Sequence, residues 1–477
     1  MDAILFYASL SLLSIFLILK NLAKNHCNLP PSPAPALPIL GHLHLLKPPV
    51  HRTLRRFSQT HGPIFSLKFG SRKVVVVSSP KLVKECFTTN DIVFSNRPYS
   101  LANEYIGYNH TTMAGAPYGH HWRNLRRLGT QEVLSVVRLN EFSHVREEEM
   151  RQTLLTLITS GNEYTKVELR PKLFELIFNV IMRMLAGNKY SRNEQLGGKF
   201  REMVTEVLQH AQSSNPEDFL PFLRWIDYKG LKKKLADLGK KLDEFYQNML
   251  EEHRREKTNT VIGHLLSLQE LDPEFYTDQI IKGFITNMII AGTNTSVVTI
   301  EWTMSLLLNH PNVLQKAKLE LDSKIGHHRL VEELDLPKLH YLRNIILETF
   351  SMFPAGPLVV PRESSIDCKL GGYDIPRETL LLVNAWAIHR DPEVWDDPMC
   401  FKPEKFEEKE VETQELMPFG MGRRACPGSS LGHRMCFEWE RVGLAEEIGL
   451  TMPKLKPLEA RYKPRGIILK VLQESTI

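Results

Sequence analysis

The sequence predicts a mainly α protein with a minor β region, folded as a single large domain behind an N-terminal membrane anchor. Three observations carry this. An uncharged apolar run opens the chain, long stretches repeat leucine at helical spacing, and only a few short runs alternate or cluster as strands do. The 477 residues would accommodate two or three average domains, but no repeat, low-complexity tract or linker divides them.

The elements follow in chain order. Ala3 to Leu19, AILFYASLSLLSIFLIL, carries no charge and lies at the short end of what spans a bilayer. Lys20, Lys24 and His26 follow it, a charge order that anchors the segment and leaves the remainder cytosolic. A cleaved signal peptide would carry positive charge ahead of the apolar run, where only Asp2 stands, and a core helix fits poorly at an extreme terminus. Residues 1–22 are therefore expected to be a transmembrane anchor. Pro30, Pro31, Pro33, Pro35 and Pro38 stiffen residues 23–41 into a hinge, leaving 42–477 as the folded domain.

Beyond the hinge, PIFSLKFG and KVVVVSS read as a β-hairpin, and RETLLLVNAW and GIILKVL as later strands. A helix is expected from Lys229 to about Lys257, with Leu231, Leu235, Leu238, Leu242, Phe245 and Met249 on one stripe. Its lysines, Lys232, Lys233, Lys234, Lys240 and Lys241, fall mostly off that stripe, as on a solvated face. A second helix is expected over Asp278 to His310, N-capped by Thr277 and about 50 Å long. Within it Gly292, Thr293, Asn294, Thr295 and Ser296 put small and polar residues where periodicity asks for burial. Buried hydroxyls need partners, so something polar or planar is expected against this turn.

Charge and cysteine usage narrow the function. A net charge of +5 is mildly basic, enough to favour an anionic membrane surface or an acidic partner and too weak for nucleic acid. Six scattered cysteines with no C-x-x-C pair argue against a zinc site or a disulfide framework, and for a reducing compartment. One of them stands in an unusual setting, PFGMGRRACPG. Gly420, Gly422 and Gly428 permit peptide N–H groups to turn toward the Cys426 sulfur, and Arg423 and Arg424 add positive charge, so a thiolate is expected. A thiolate can be a nucleophile or a metal ligand, and the loop offers no base for a nucleophile.

The spacing Phe419, Gly422, Arg424, Cys426, Gly428 resembles the F-x-x-G-x-R-x-C-x-G signature of the cytochrome P450 family of haem-thiolate monooxygenases. The resemblance implies the P450 fold, haem b with Cys426 as the axial iron ligand, and Arg424 on a haem propionate. WRNLRR places Trp122 and Arg126 one turn apart where the family's helix reaches a propionate. AGTNTS resembles A-G-x-D/E-T-T/S, in which glycine makes room for oxygen and the threonine, here Thr295, hydrogen-bonds it; VVPRESS brings Arg362 to the haem edge, and FKPEKF resembles the family's F-x-P-E-R-F. Stretches such as APYGHHWRNLRR and LLVNAWAIHRDPEVWDDP resemble the plant branch that contains isoflavone 2'-hydroxylases and relatives acting on flavonoids, lignans and indoles. The resemblance further implies NADPH-cytochrome P450 reductase as electron donor, a small aromatic substrate, and a single-pass location in the endoplasmic reticulum membrane with the catalytic domain facing the cytosol. Substrate-lining positions would fall in Ile106 to Met113, around Leu208 to Phe222, in Ala355 to Val360, and in Leu450 to Met452.

Three departures from the family stand out. Its E-x-x-R appears as ETFS, so Glu348 has Ser351 where an arginine is expected, and the meander arginine is Lys405. Losing one partner of a buried charged pair costs about 3–5 kcal/mol, although Lys405 can still neutralise Glu348 one to one. Asn294 replaces the acid before the helix threonine; it can position water but cannot titrate. After the cysteine loop, SSLGHRMCFEWERV reaches Phe437, Glu438 and Trp439 about ten residues early, roughly three helical turns. These departures imply an alternative, a catalytically impaired or haem-poor relative.

Overall fold

The computed structural model describes residues 28–159, 165–188, 194–212, 215–256, 258–326, 329–407, 414–435, 451–454 and 456–462. The expected anchor 1–22, the start of the hinge, the strand GIILKVL and the shortened segment 436–450 lie outside the described residues. Among the described residues no helix is long and apolar enough to cross a membrane.

The predicted hairpin is β1 (Ile64–Phe69) and β2 (Arg72–Val77), antiparallel with Ile64 opposite Val77. Two later strands, β3 (Arg362–Glu363) and β4 (Leu380–Val383), complete a sheet of order β1-β2-β4-β3, in which β2 and β4 run parallel. The apolar run Val74 to Val77 has no polar alternation because both faces of its strand are covered. Val75 and Val77 pack with Leu82, Val83 and Phe87 of helix α1 (Pro80–Phe87), while Val74 and Val76 pack with Leu54 and Phe65 on the other side.

The rest is largely helical. Helix α2 (His120–Arg127) is short and basic. Helix α3 (Leu169–Ala186) crosses the centre of the molecule, and α4 (Leu231–Arg255) fulfils the leucine-stripe prediction closely. Leu235, Leu238, Leu242 and Met249 of α4 are buried and the five lysines exposed; Tyr246, not Phe245, completes the buried stripe. Helix α5 (Asp278–Asn309) is capped by the Thr277 hydroxyl, which accepts the Ile280 N–H at 3.4 Å. It is buried on nearly every side, as an all-round apolar helix must be. Helix α6 (His340–Met352) and the short α7 (Ser429–Arg434) flank the cysteine loop.

The hydroxyls along α5 find partners inside the helix. Thr286, Thr293, Ser296, Thr299, Thr303 and Ser305 each donate to the carbonyl four residues earlier, at 2.7–3.0 Å. Back-bonding of this kind satisfies a buried hydroxyl without an external partner, so those side chains do not themselves require a ligand.

Candidate functional site

The cysteine loop is closed by its own backbone. Gly420 and Gly422 take φ of 68° and 73°, a region hostile to other residues. The Cys426 N–H donates to the Phe419 carbonyl at 2.8 Å and the Ala425 N–H to Gly422 at 2.9 Å. The Phe419 ring, 5.2 Å from Phe350 and 4.9 Å from His433, supports the loop from α6 and α7. Cys426 is exposed by surface area, yet burial is the main influence on its thiol and raises it above the usual range. The residue keeps exposed surface within densely packed surroundings. The Gly428 N–H and Arg126 oppose that rise without overcoming it. Arg423 and Arg424 are not among the groups that oppose the rise: Arg424 is held by the Ser95, Met113 and Ala116 carbonyls and Arg423 pairs with Asp91, so Arg126 is the cation that acts on the sulfur.

Arg424 instead is anchored in protein carbonyls. Its Nε donates to Ser95 at 2.8 Å and Nη1 to Met113 at 3.2 Å, Nη2 donates to Ala116, and its plane lies 4.3 Å from the Trp122 ring. Trp122 and Arg126 do share a face of α2, as their spacing predicts. Arg126 donates to the Ala425 carbonyl, next to the cysteine, while the Trp122 indole donates to Met113 at 3.1 Å. Strand β3 delivers Arg362, which is buried, donates to the Met421 carbonyl and stacks 3.9 Å from the Phe87 ring. Among the described residues its Nε and Nη1 have no hydrogen-bond acceptor.

A fourth guanidinium, Arg97, joins these three and was missed. It donates to Pro361 at 2.7 Å and to Val360 at 2.9 Å. Its one sequence signal is being the sole charge between Asp91 and Glu104. Burial first, then the neighbouring guanidiniums, lower these groups: Arg424 to about 9 beside Arg362 and Arg126, and Arg97 well down beside Arg424 and Arg362. Arginine keeps its proton in proteins, so the lowering reflects first the cost of burying these charges and second their mutual repulsion. Carbonyls satisfy donors but do not offset charge. This donor set, a sulfur in a rigid loop beside crowded guanidiniums with spare buried donors, fits a haem with its iron on Cys426 and its propionates on the arginines.

One turn of α5 interrupts the helix's burial. Ala291 is exposed and Gly292, Asn294 and Thr295 are partly exposed, between fully buried turns. The Thr295 hydroxyl donates to the Ala291 carbonyl at 2.7 Å, which leaves its lone pairs to accept. The Asn294 amide donates to the Thr451 hydroxyl at 3.1 Å. A Cβ on Gly292 would lie 2.9 Å from Ile181 Cδ1, so the glycine also lets helix α3 pass close to this turn. Among the expected substrate-lining residues, Met452 is buried and its carbonyl accepts the Trp302 indole at 2.7 Å, which places it in the core. Leu450 lies outside the described residues.

Behind the loop, Glu348 of α6 forms an ion pair with Lys405 and accepts the Lys402 N–H at 3.1 Å. Lys405 also reaches the Ser351 hydroxyl at 3.3 Å, so serine occupies the arginine's place as a neutral acceptor. Burial, opposed by Lys405 and Arg390, pushes the Glu348 carboxyl up to about 7.

A sequence model of the family described as Cytochrome P450 matches residues 30–438. The chain belongs to the cytochrome P450 family. Among plant relatives, this P450 is 54% identical to cytochrome P450 81Q32 of Catharanthus roseus, the match covering 98% of each chain. It is 47% identical to an isoflavone 2'-hydroxylase of Glycyrrhiza echinata over 98% of this chain and 97% of the relative. A zebrafish P450 structure with progesterone superposes with a TM-score of 0.77 at 25% identity, covering 88% of this chain and 100% of that one. The family implies haem iron, a redox partner and a small-molecule substrate, and its members are oxidoreductases.

Proposed function

We propose that this P450 hydroxylates a small aromatic plant metabolite of the isoflavone or flavonoid type, with electrons from NADPH delivered by NADPH-cytochrome P450 reductase. The observation that carries the reading is the cysteine loop set beside four buried or half-buried guanidiniums, in a chain related to isoflavone hydroxylases. Bound through Cys426, haem would supply the chemistry that turns a C–H bond, dioxygen, NADPH and a proton into an alcohol, water and NADP+.

The chain's own residues orient and exclude. Arg97, Arg126, Arg362 and Arg424 would fix the cofactor's carboxylates, because their contacts are mostly with carbonyls and only Arg362 meets a carboxylate, so most of the positive charge is left uncompensated. Thr295 presents an acceptor toward the cleft while its proton is held by Ala291. Asn294 has no proton to titrate, and its amide is held by Thr451, so Asn294 itself does not deliver protons to this turn. Val359 lies close to the cysteine loop, 3.5 Å from where a Cβ on Gly420 would sit, which supports Ala355 to Val360 as part of the substrate wall.

Membrane attachment at the endoplasmic reticulum, with residues 1–22 as anchor, has independent support on the folded surface. Trp225 is 90% exposed, with Phe222 and Ile226 also exposed beside it. A second exposed apolar loop, Leu37, Ile39 and Leu40, is joined to this one through the β1–β2 turn: Gly70 N–H donates to Leu40 and Ser71 N–H to Phe219. Two apolar loops on one edge suit a lipid surface.

The test is the carbon monoxide difference spectrum of the reduced, membrane-expressed protein, followed by spectral titration with an isoflavone. A strongly red-shifted band and a substrate-induced shift are expected; Cys426→Ala should lose the band and keep membrane attachment. A second reading, a haem-poor relative, is favoured by one further observation. The alignment with the Catharanthus protein spans 490 positions but takes in 98% of this chain, so about 20 positions hold none of its residues, and the family match stops at residue 438. Absence of the band in well-expressed protein would establish that reading.

A further inference from the structure

We propose that Asp91 is a positioning residue that holds the backbone of the cysteine loop and sets the charge beside the iron's sulfur ligand. The sequence gives Asp91 no motif; it stands in TTNDIVF, after the end of α1. In the structure its carboxylate is built into the loop. Its oxygens accept the Arg423 backbone N–H at 3.2 and 3.1 Å, three residues before Cys426. Arg423 Nε lies 3.4 Å away and Arg362 Nη1 3.6 Å away. The backbone that carries the carboxylate is itself fixed, since the Ser95 hydroxyl donates to the Asp91 main-chain carbonyl at 2.5 Å and the Ser95 main-chain carbonyl accepts the Arg424 Nε–H at 2.8 Å.

Gly422 explains why the fit is tight. A Cβ at that position would collide with Asp91 Oδ1 and sit 3.2 Å from Phe87 Cβ, so the glycine gives the carboxylate its place against the loop. Asp91 is only 13% exposed, and among the described residues it is the carboxylate in ion-pair contact with the guanidinium cluster. Its one negative charge therefore acts at short range on both the loop backbone and Arg362. Hydrogen bonds and charges just outside a metal's ligands tune the metal's affinity for an electron, so removing this charge should favour the reduced state.

The inference rests on Cys426 as the ligand, and wild-type protein is the control for that. The full chain, haem-loaded, would be compared as wild type, Asp91→Asn and Asp91→Glu by midpoint potential, carbon monoxide spectrum and thermal midpoint. Asparagine keeps the size and one acceptor for the Arg423 N–H. A positive shift in potential is expected, with a larger fraction of the carbon monoxide complex in the less red-shifted form, and Asp91→Glu should recover most of the potential. A lower thermal midpoint with potential and spectrum unchanged would reduce Asp91 to a structural contact and overturn the proposal. Hydrogen exchange at the Arg423 amide of wild-type protein needs no variant: slow exchange is expected, and exchange at the rate of an open amide overturns it as well. A wild-type chain with no thiolate band would sink the ligand assignment itself.

Discussion

Glu348 is buried and pairs with a lysine where the family pattern has arginine, and this has a pH signature. Its carboxyl is pushed up to about 7 in the folded chain from an ordinary 4.5. The folded state then binds the proton more tightly than the unfolded one, so the stability this group contributes is full below pH 4.5 and is lost as pH rises toward 7. The loss is roughly 3 kcal/mol at about 1.4 kcal/mol per unit. Denaturant melts at pH 5 and pH 7.5 should show that fall, and Glu348→Gln should flatten it. Ser351→Arg should also flatten it, by adding a second strong partner and pulling the carboxyl down. A pH dependence unchanged in both variants would place the effect elsewhere. His389, buried and lowered to about 3, works in the opposite sense: it stabilises above pH 6.5 and loses that contribution as pH falls toward 3.

Helix α5 shows what periodicity can and cannot reveal. Its ends, its cap and its polar interruption were legible, because a helix of 32 residues buried on all sides leaves a long apolar record with a visible break. The cause of the break was only half legible. Thr295 is partly exposed at the break, and Gly292 also borders the crossing of α3, which no local pattern encodes. Gly292→Val should therefore destabilise by about 1–3 kcal/mol through overpacking, and much of that cost should vanish in an Ile181→Val background, which removes the clashing Cδ1. Additive costs in the double-variant cycle would contradict the contact. Asn294→Asp should raise product formed per NADPH consumed by restoring a titratable group to this turn; unchanged coupling would mean that protons arrive by another route. The residues hidden from sequence, Asp91 and Arg97, are lone charges in short irregular segments. Their partners lie 332 and 264 positions away, and nothing local marks them.

At the scale of the whole molecule, the fold class and the single large domain were legible from helix length and sheet economy, and the helix boundaries fell within two residues for α4 and α5. The apolar edge formed by Leu37, Ile39, Leu40, Phe222, Trp225 and Ile226 was not, since its two halves come from separate parts of the chain. Removing residues 1–22 should leave measurable binding to anionic vesicles, and Trp225→Ser with Ile226→Ser in that truncated chain should lower it several-fold without moving the thermal midpoint. Full release by truncation alone would show that the edge has no affinity for lipid.

The guanidinium contacts also have a consequence in time. Arg424 meets Ser95, Met113 and Ala116 across 329, 311 and 308 positions, and Arg126 meets Ala425 across 299. Each of these contacts waits for residues near 424, made long after their partners at 95–126. A cofactor held by them can be seated only once those distant segments have met, so cofactor supplied to finished apoprotein should still be taken up.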